Sequence, residues 1–151
     1  METVLLIGIP AAGKSTFCKR FSDTHVRVNL DTLRTRKREE RLVEKCLAER
    51  QAFVVDNTNL FTYDRARYIP LAKASGYRVV GYVFKCSIGD ALKRNARREG
   101  RACVPDFVIH RMQSRFEPPD TDEGFDALFD VAVEPGVFKV TEAGIVQSAD
   151  M

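Results

Sequence analysis

The sequence predicts an α/β protein with a parallel β-sheet covered by helices on both faces, and three observations carry that prediction. Short apolar runs alternate with longer charged or amphipathic segments as far as about residue 133, the strand–helix rhythm that yields a parallel sheet. The first run, residues 4–7 (Val-Leu-Leu-Ile), opens into Gly8-Ile9-Pro10-Ala11-Ala12-Gly13-Lys14-Ser15, which is the pattern G-x-x-x-x-G-K-[ST] set between a strand and a helix. Finally, 151 residues with 44% hydrophobic content suffice for one globular core.

Taken in order, residues 4–7 read as a buried strand and 14–21 as the helix after the glycine-rich loop. Val26-Arg27-Val28-Asn29-Leu30 alternates as a short second strand. Asp31 then stands where a helix N-cap belongs, and 32–50 reads as a charged helix with Leu33, Leu42, Val43, Cys46 and Leu47 on its apolar face. Residues 52–55 are a third strand ending in Asp56-Asn57-Thr58-Asn59, and a helix over 63–74 closes at Gly76. A fourth strand follows over 77–84, then a helix over 88–98 and a polar loop over 99–104. Pro105 opens a further helix to about 116, which Pro118-Pro119 ends. A last strand is placed over 125–133, and 138–146 reads as a small terminal hairpin. No internal repeat and no linker divides the chain, so 1–151 is expected to be one domain.

The loop pattern has a mechanical basis. Backbone N–H groups must curl around an anionic phosphate, and glycines allow that turn. Gly8, Ala11, Ala12, Gly13, Lys14, Ser15 and Thr16 are therefore the candidate nucleotide-binding residues. Lys14 would reach the β- and γ-phosphates and the Ser15 hydroxyl would ligate Mg²⁺, so ATP and Mg²⁺ are the expected cofactors.

Open α/β sheets place ligands at the carboxyl ends of their strands. Asp31 sits there with Arg34 one turn later, where a carboxylate could take a proton from an attacking hydroxyl while an arginine grips an anionic acceptor. The other role open to Asp31 is helix capping. Asp56, closing an apolar strand, could hold Mg²⁺ directly or through water, or serve an Asx turn. Asn57, Thr58 and Asn59 suit the orienting of a substrate and equally the satisfying of a loop. Arg94 and Arg98, four apart, share one helical face, with Arg97 and Arg101 alongside; they are placed either to neutralise charge during phosphoryl transfer or in surface pairs such as Asp90 with Arg94.

Charge is unevenly spread. Residues 1–115 carry 23 basic and 12 acidic side chains, whereas 116–151 carry one basic and nine acidic. A basic body suits nucleic acid or another polyanion, and solvated helix faces would read the same way. No apolar run approaches the ~20 residues of a membrane span, and Met1-Glu2 lacks the positive start of a signal peptide. Cys18, Cys46, Cys86 and Cys103 show no paired spacing, and His25 and His110 stand alone, so free thiols in a cytoplasmic protein are expected and a structural zinc site is not.

Read together, GIPAAGKST, LDTLR, VVDNTN, LKRNARREGRACVP, RFEPP and EGFD resemble the kinase module of the polynucleotide 5′-kinases, enzymes that phosphorylate 5′-hydroxyl ends of DNA or RNA. The resemblance runs from about residue 3 to residue 133. It implies a P-loop kinase fold of three layers with a helical lid at about 94–106, ATP with Mg²⁺, a nucleic acid 5′ end as acceptor, and frequent homo-oligomerisation. By the same resemblance Asp31 is the general base, Arg34 contacts the acceptor phosphate, and Thr58 and Asn59 lie on the acceptor side. Arg98 would touch the transferring phosphoryl from the lid with Arg94 beside it. A small-molecule or tRNA-linked kinase on the same scaffold and a non-catalytic nucleotide-binding module are the alternatives.

Overall fold

The computed structural model describes residues 1–134 and 136–143. Its strands are β1 (Glu2–Ile7), β2 (Val26–Val28), β3 (Phe53–Asp56), β4 (Arg78–Lys85), β5 (Ala127–Glu134) and β6 (Val137–Glu142). They form a sheet in the order β2-β3-β1-β4-β5-β6. All neighbours are parallel except β5 and β6, which form an antiparallel hairpin.

β1 occupies the interior of the sheet, bonded to β3 on one side and β4 on the other. A strand buried on both faces has no use for alternation, which is why Val4 to Ile7 are continuously apolar and fully buried. Leu5 and Ile7 face one core with Val28, Val55 and Val79, under α3 (Arg36–Ala48) and α5 (Ile69–Ala74). Val4 and Leu6 face the other with Phe17, Ala91 and Ile109, under α1 (Lys14–Cys18), α6 (Ile88–Ala96) and α7 (Asp106–Arg115). The predicted layering, helices on both faces of a mainly parallel sheet, is therefore the observed one.

Local departures from the sequence reading have identifiable causes. The helix expected over 32–50 is two: α2 (Leu30–Leu33), then α3. Arg34 ends the first with φ of 80°, and the Thr35 side chain caps the second by accepting from Arg38 N. The helix expected over 63–74 is likewise split into α4 (Thr62–Arg65) and α5, the latter restarting with Pro70 in its first turn. The terminal hairpin expected over 138–146 is instead the return strand β6 on β5; residues 144–146 lie outside the described residues. No helix among the described residues is long and apolar enough to cross a membrane.

Arg65 ties the loop after β3 to the segment before β5. It is fully buried, donates to both carboxylate oxygens of Glu123 (2.7 and 3.1 Å) and gives a third hydrogen bond to the Asn59 carbonyl at 2.9 Å. Removing one partner of such a pair leaves a desolvated charge, so Arg65→Ala is expected to destabilise the fold by about 3–5 kcal/mol in a denaturant titration. A loss under 1 kcal/mol would mean that the pair does little for the fold.

Candidate active site

The loop between β1 and α1 is shaped by two glycines. A Cβ at Gly8 would stand 3.0 Å from Phe84 Cβ, and Gly13 turns the chain into α1 with φ of 99°. Gly8 N donates to the Thr58 carbonyl at 3.0 Å, which fixes the loop to the end of β3. Lys14, only 8% exposed, curls back so that Nζ donates to the Gly8 and Ile9 carbonyls, both at 2.7 Å. Burial lowers its pKa from 10.5 to about 8; Asp56 opposes that shift and Arg98 adds to it.

Ser15 Oγ donates to Asp56 Oδ2 at 3.2 Å, the strand-end acid standing 2% exposed. These two oxygen donors fit Mg²⁺, which takes few protein ligands in phosphate sites and fills its shell with water and phosphate oxygens. Among the described residues no cluster of three or more His, Cys, Asp or Glu could hold a metal without such help. Arg27 shares the acid: its Nε donates to Asp56 Oδ2 at 2.9 Å and its Nη2 lies at 2.8 Å from the same oxygen. Nothing in the sequence singled Arg27 out, because a charged residue between two valines reads as the solvent face of a strand.

A cavity of about 480 Å³ gathers Lys14, Ser15, Asp31, Asp56, Thr58 and Arg98 on its walls, with Arg27, Arg36 and Arg101 around them. Asp31 reaches it from the first turn of α2 and is exposed. It does not cap that helix. Asn29 does, its Oδ1 accepting from Thr32 N at 3.0 Å, while its Nδ2 donates to the Asp56 carbonyl at 2.6 Å. Asn57 Oδ1 accepts from Leu30 N at 2.9 Å, so the turn carrying Asp31 is fastened to the end of β3.

One expectation is corrected, and two other candidates stand as follows. Arg34 is exposed at the C-terminal end of α2, with φ of 80°. Asn59 lines the cavity but is 2% exposed, and its Nδ2 is spent on the Leu6 carbonyl at 2.9 Å, a bond that serves the sheet. Arg94 and Arg98 do not share a helical face, since α6 ends at Ala96. Buried Asn95 causes this by exchanging two hydrogen bonds with Val104 (2.6 and 3.0 Å), which folds the polar loop back on the helix. Arg98 accordingly faces the first cavity and donates to the Ala102 carbonyl at 3.2 Å. Arg94 reaches the Ala11 carbonyl at 3.4 Å and Cys86 Sγ at 3.2 Å, and lines a second cavity of about 600 Å³ with Gly13, Thr16, Arg97 and Phe138. The loop thus divides two cavities, with Lys14 and Ser15 in one and Gly13 and Thr16 in the other, while buried Ala11 and Ala12 form its inner turn.

The family described as AAA domain matches residues 4–119, from β1 through α7. The chain belongs to the AAA domain family. This AAA domain is 27% identical over 151 residues to the L-seryl-tRNA(Sec) kinase of Methanococcus maripaludis, covering 87% of the chain and 58% of that protein. It is also 27% identical over 135 residues to the bifunctional polynucleotide phosphatase/kinase of Schizosaccharomyces pombe, covering 86% of the chain and 33% of that protein. The chain therefore spans only part of the length of both relatives. Among solved structures it resembles Chaetomium thermophilum Kti12 in complex with ADP-AlF3 (TM-score 0.68, 14% identity, 87% of this chain and 89% of that one). It also resembles a gluconokinase from Sinorhizobium meliloti (TM-score 0.59, 18% identity, 87% and 82%). Those likenesses establish the fold of this AAA domain as that of the P-loop kinases.

Burial of Lys14 gives nucleotide binding a proton signature. Near pH 8.5 a lysine with a pKa of about 8 is partly neutral, and phosphate oxygens beside Nζ would draw it back towards its ordinary charged form. ADP binding at pH 8.5 is therefore expected to take up protons, read as a calorimetric enthalpy that depends on the buffer. The uptake should fade below about pH 7, where Lys14 is already charged, and vanish in Lys14→Met. Equal enthalpies in all buffers at pH 8.5 would count against a buried, phosphate-facing lysine.

Proposed function

We propose that the chain is an ATP- and Mg²⁺-dependent kinase that phosphorylates a 5′-hydroxyl end of DNA or RNA. The observation that carries this reading is the placement of Asp31 on the same cavity wall as Lys14, Ser15, Asp56 and Arg98, amid further arginines. An exposed carboxylate on the cavity wall suits a base for a hydroxyl, and the surrounding guanidinium groups suit a polyanionic acceptor better than a neutral sugar.

In this reading the nucleoside lies in the cavity of Arg94, Arg97 and Phe138, and the phosphates follow the loop amides over Gly13 to Lys14. Lys14 exchanges its two loop carbonyls for phosphate oxygens. Ser15 and Asp56 would hold Mg²⁺, directly or through water, and the ion would supply screening of phosphate charge. Asp31 accepts the proton of the attacking hydroxyl, and Arg98, on a lid at about 94–106, meets charge on the transferring group. The basic surface of residues 1–115 would attract longer nucleic acid.

A second reading, a kinase for a tRNA-linked hydroxyl, is favoured by the match to the L-seryl-tRNA(Sec) kinase over 87% of the chain. An acceptor panel with γ-labelled ATP separates the two. It offers 5′-hydroxyl DNA and RNA oligonucleotides, a nucleoside 3′-monophosphate, the free nucleoside and seryl-tRNA. Label is expected on the oligonucleotides, and the nucleoside 3′-monophosphate should exceed the free nucleoside. One charge-assisted contact is worth about 1.5–3 kcal/mol, or roughly 10–150-fold in kcat/KM. Label on seryl-tRNA alone would select the second reading, and label on no acceptor would reject both.

A further inference from the structure

β2 is an edge strand of the sheet, and Arg27 stands at its middle. It pairs in register with Val54 of β3, and residues two apart along a strand share a face, so Arg27, Val54 and Asp56 lie on the side of the sheet that α1 covers. There the guanidinium reaches along to the end of β3. Its Nε donates to Asp56 Oδ2 at 2.9 Å, and its Nη2 lies 2.8 Å from that oxygen and 3.5 Å from Ser15 Oγ. Ser15 Oγ itself donates to Oδ2 at 3.2 Å. A carboxylate oxygen has two lone pairs, and Arg27 Nε and Ser15 Oγ take both.

A divalent cation would need the same oxygen. Direct ligation by Asp56, or a metal-bound water donating to it, requires an open lone pair on the oxygen that faces Ser15. Arg27 cannot keep its place on Oδ2 and admit the ion, and their like charges would repel at that separation. The arginine is the partner that can move: its side chain is 44% exposed, against 2% for Asp56. It lines the cavity of Lys14 and Asp31 and also a smaller one, of about 250 Å³, with Cys18, Phe21 and His25. Phosphates arriving at Lys14 would offer the guanidinium a second anion.

We infer that Arg27 is a latch on the metal position: it holds Asp56 against divalent cations until nucleotide phosphates draw it away, so that metal enters with nucleotide and not before. The inference rests on the reading of Ser15 and Asp56 as the Mg²⁺ donors of a kinase. The simpler role for Arg27 is to neutralise a buried acid, and in that role it would stay on Asp56 with or without nucleotide.

Mn²⁺ binding, read from the loss of the free ion's electron paramagnetic resonance signal, separates the two roles without any turnover. The protein is titrated alone and with ADP kept below the protein concentration. The wild type is expected to bind Mn²⁺ weakly alone and tightly with ADP. Arg27→Ala is expected to tighten binding to the protein alone by about 10–100-fold, a usual size for coupling between sites, and to leave binding with ADP within about threefold of wild type. Arg27→Lys, which keeps the charge without the fork, should fall between. A thermal melt checks each variant, and Arg27→Gln, which fills more of the same space, takes the place of the alanine variant should that fail to fold. Equal tightening with and without ADP, or no tightening in either, would overturn the inference. If the wild type binds no Mn²⁺ even with ADP, or Asp56→Asn binds it as well as wild type, the metal reading has failed; if those hold and Arg27 leaves the two affinities in their wild-type ratio, only this inference has.

Discussion

Lys14→Ala is expected to abolish measurable phosphoryl transfer while leaving a folded protein. The amine is the one cation buried within the loop itself, and its two present partners are the loop's own carbonyls. Such a group is held where phosphate oxygens would replace those carbonyls with little rearrangement of the backbone. Removing a single preorganised donor costs on the order of 10²–10³ in rate, and removing a charged one that also binds the nucleotide should exceed that. The measurement is transfer from γ-labelled ATP alongside a thermal melt. Transfer near the wild-type rate would remove the basis of the kinase reading, because among the described residues no other lysine lines either cavity beside the loop except Lys93, in the cavity of Arg94 and Phe138.

Asp31→Asn should lower kcat by about 10²–10⁴ with ADP binding intact. The substitution keeps size and removes the proton acceptor. The structure sharpens this experiment, since the N-cap of α2 is Asn29 and not Asp31. A loss of turnover in Asp31→Asn therefore cannot be charged to a broken cap, and the melting temperature should stay within a degree or two of wild type. Turnover that survives the change would move the base elsewhere in the cavity, where Asp64 is the carboxylate on the wall besides Asp56.

How much of this was legible beforehand depends on what kind of signal each residue left. The loop was legible because glycine, lysine and serine at fixed spacing answer to backbone geometry and phosphate chemistry, which are local. The layers were legible because β1, β3 and β4 each carry a continuous uncharged, mainly apolar run, with charged residues only at their ends. Arg27 was hidden because alternation in β2 reports only which face a side chain takes, and here that face is the site. The break between α2 and α3 was hidden because the left-handed φ of Arg34, at a non-glycine residue, has no sequence mark; Thr35 as the start of a new helix was the available clue. Glu39 shares helical spacing with Val43 and Cys46, so its burial was readable in principle, but a run of six charges from Arg36 to Arg41 broken only by sign obscured it. Asn59 and Asn95 were both visible as polar residues near turns, and only tertiary contacts reveal that their amides bind backbone.

The interior position of β1 has a consequence for motion. Its amides are hydrogen-bonded within a sheet flanked by strands on both sides, and its side chains close both cores, so they should exchange with solvent only when the whole domain opens. The phosphate loop thus springs from an interior strand, where the slowest exchange is expected. Arg98 and Arg101, by contrast, ride on a loop whose buried anchor is the pair of Asn95–Val104 bonds, and such a loop is expected to open at a lower free energy than the sheet. If this segment serves as the lid of the proposed reaction, phosphate recognition and lid movement would draw on opposite ends of the stability range.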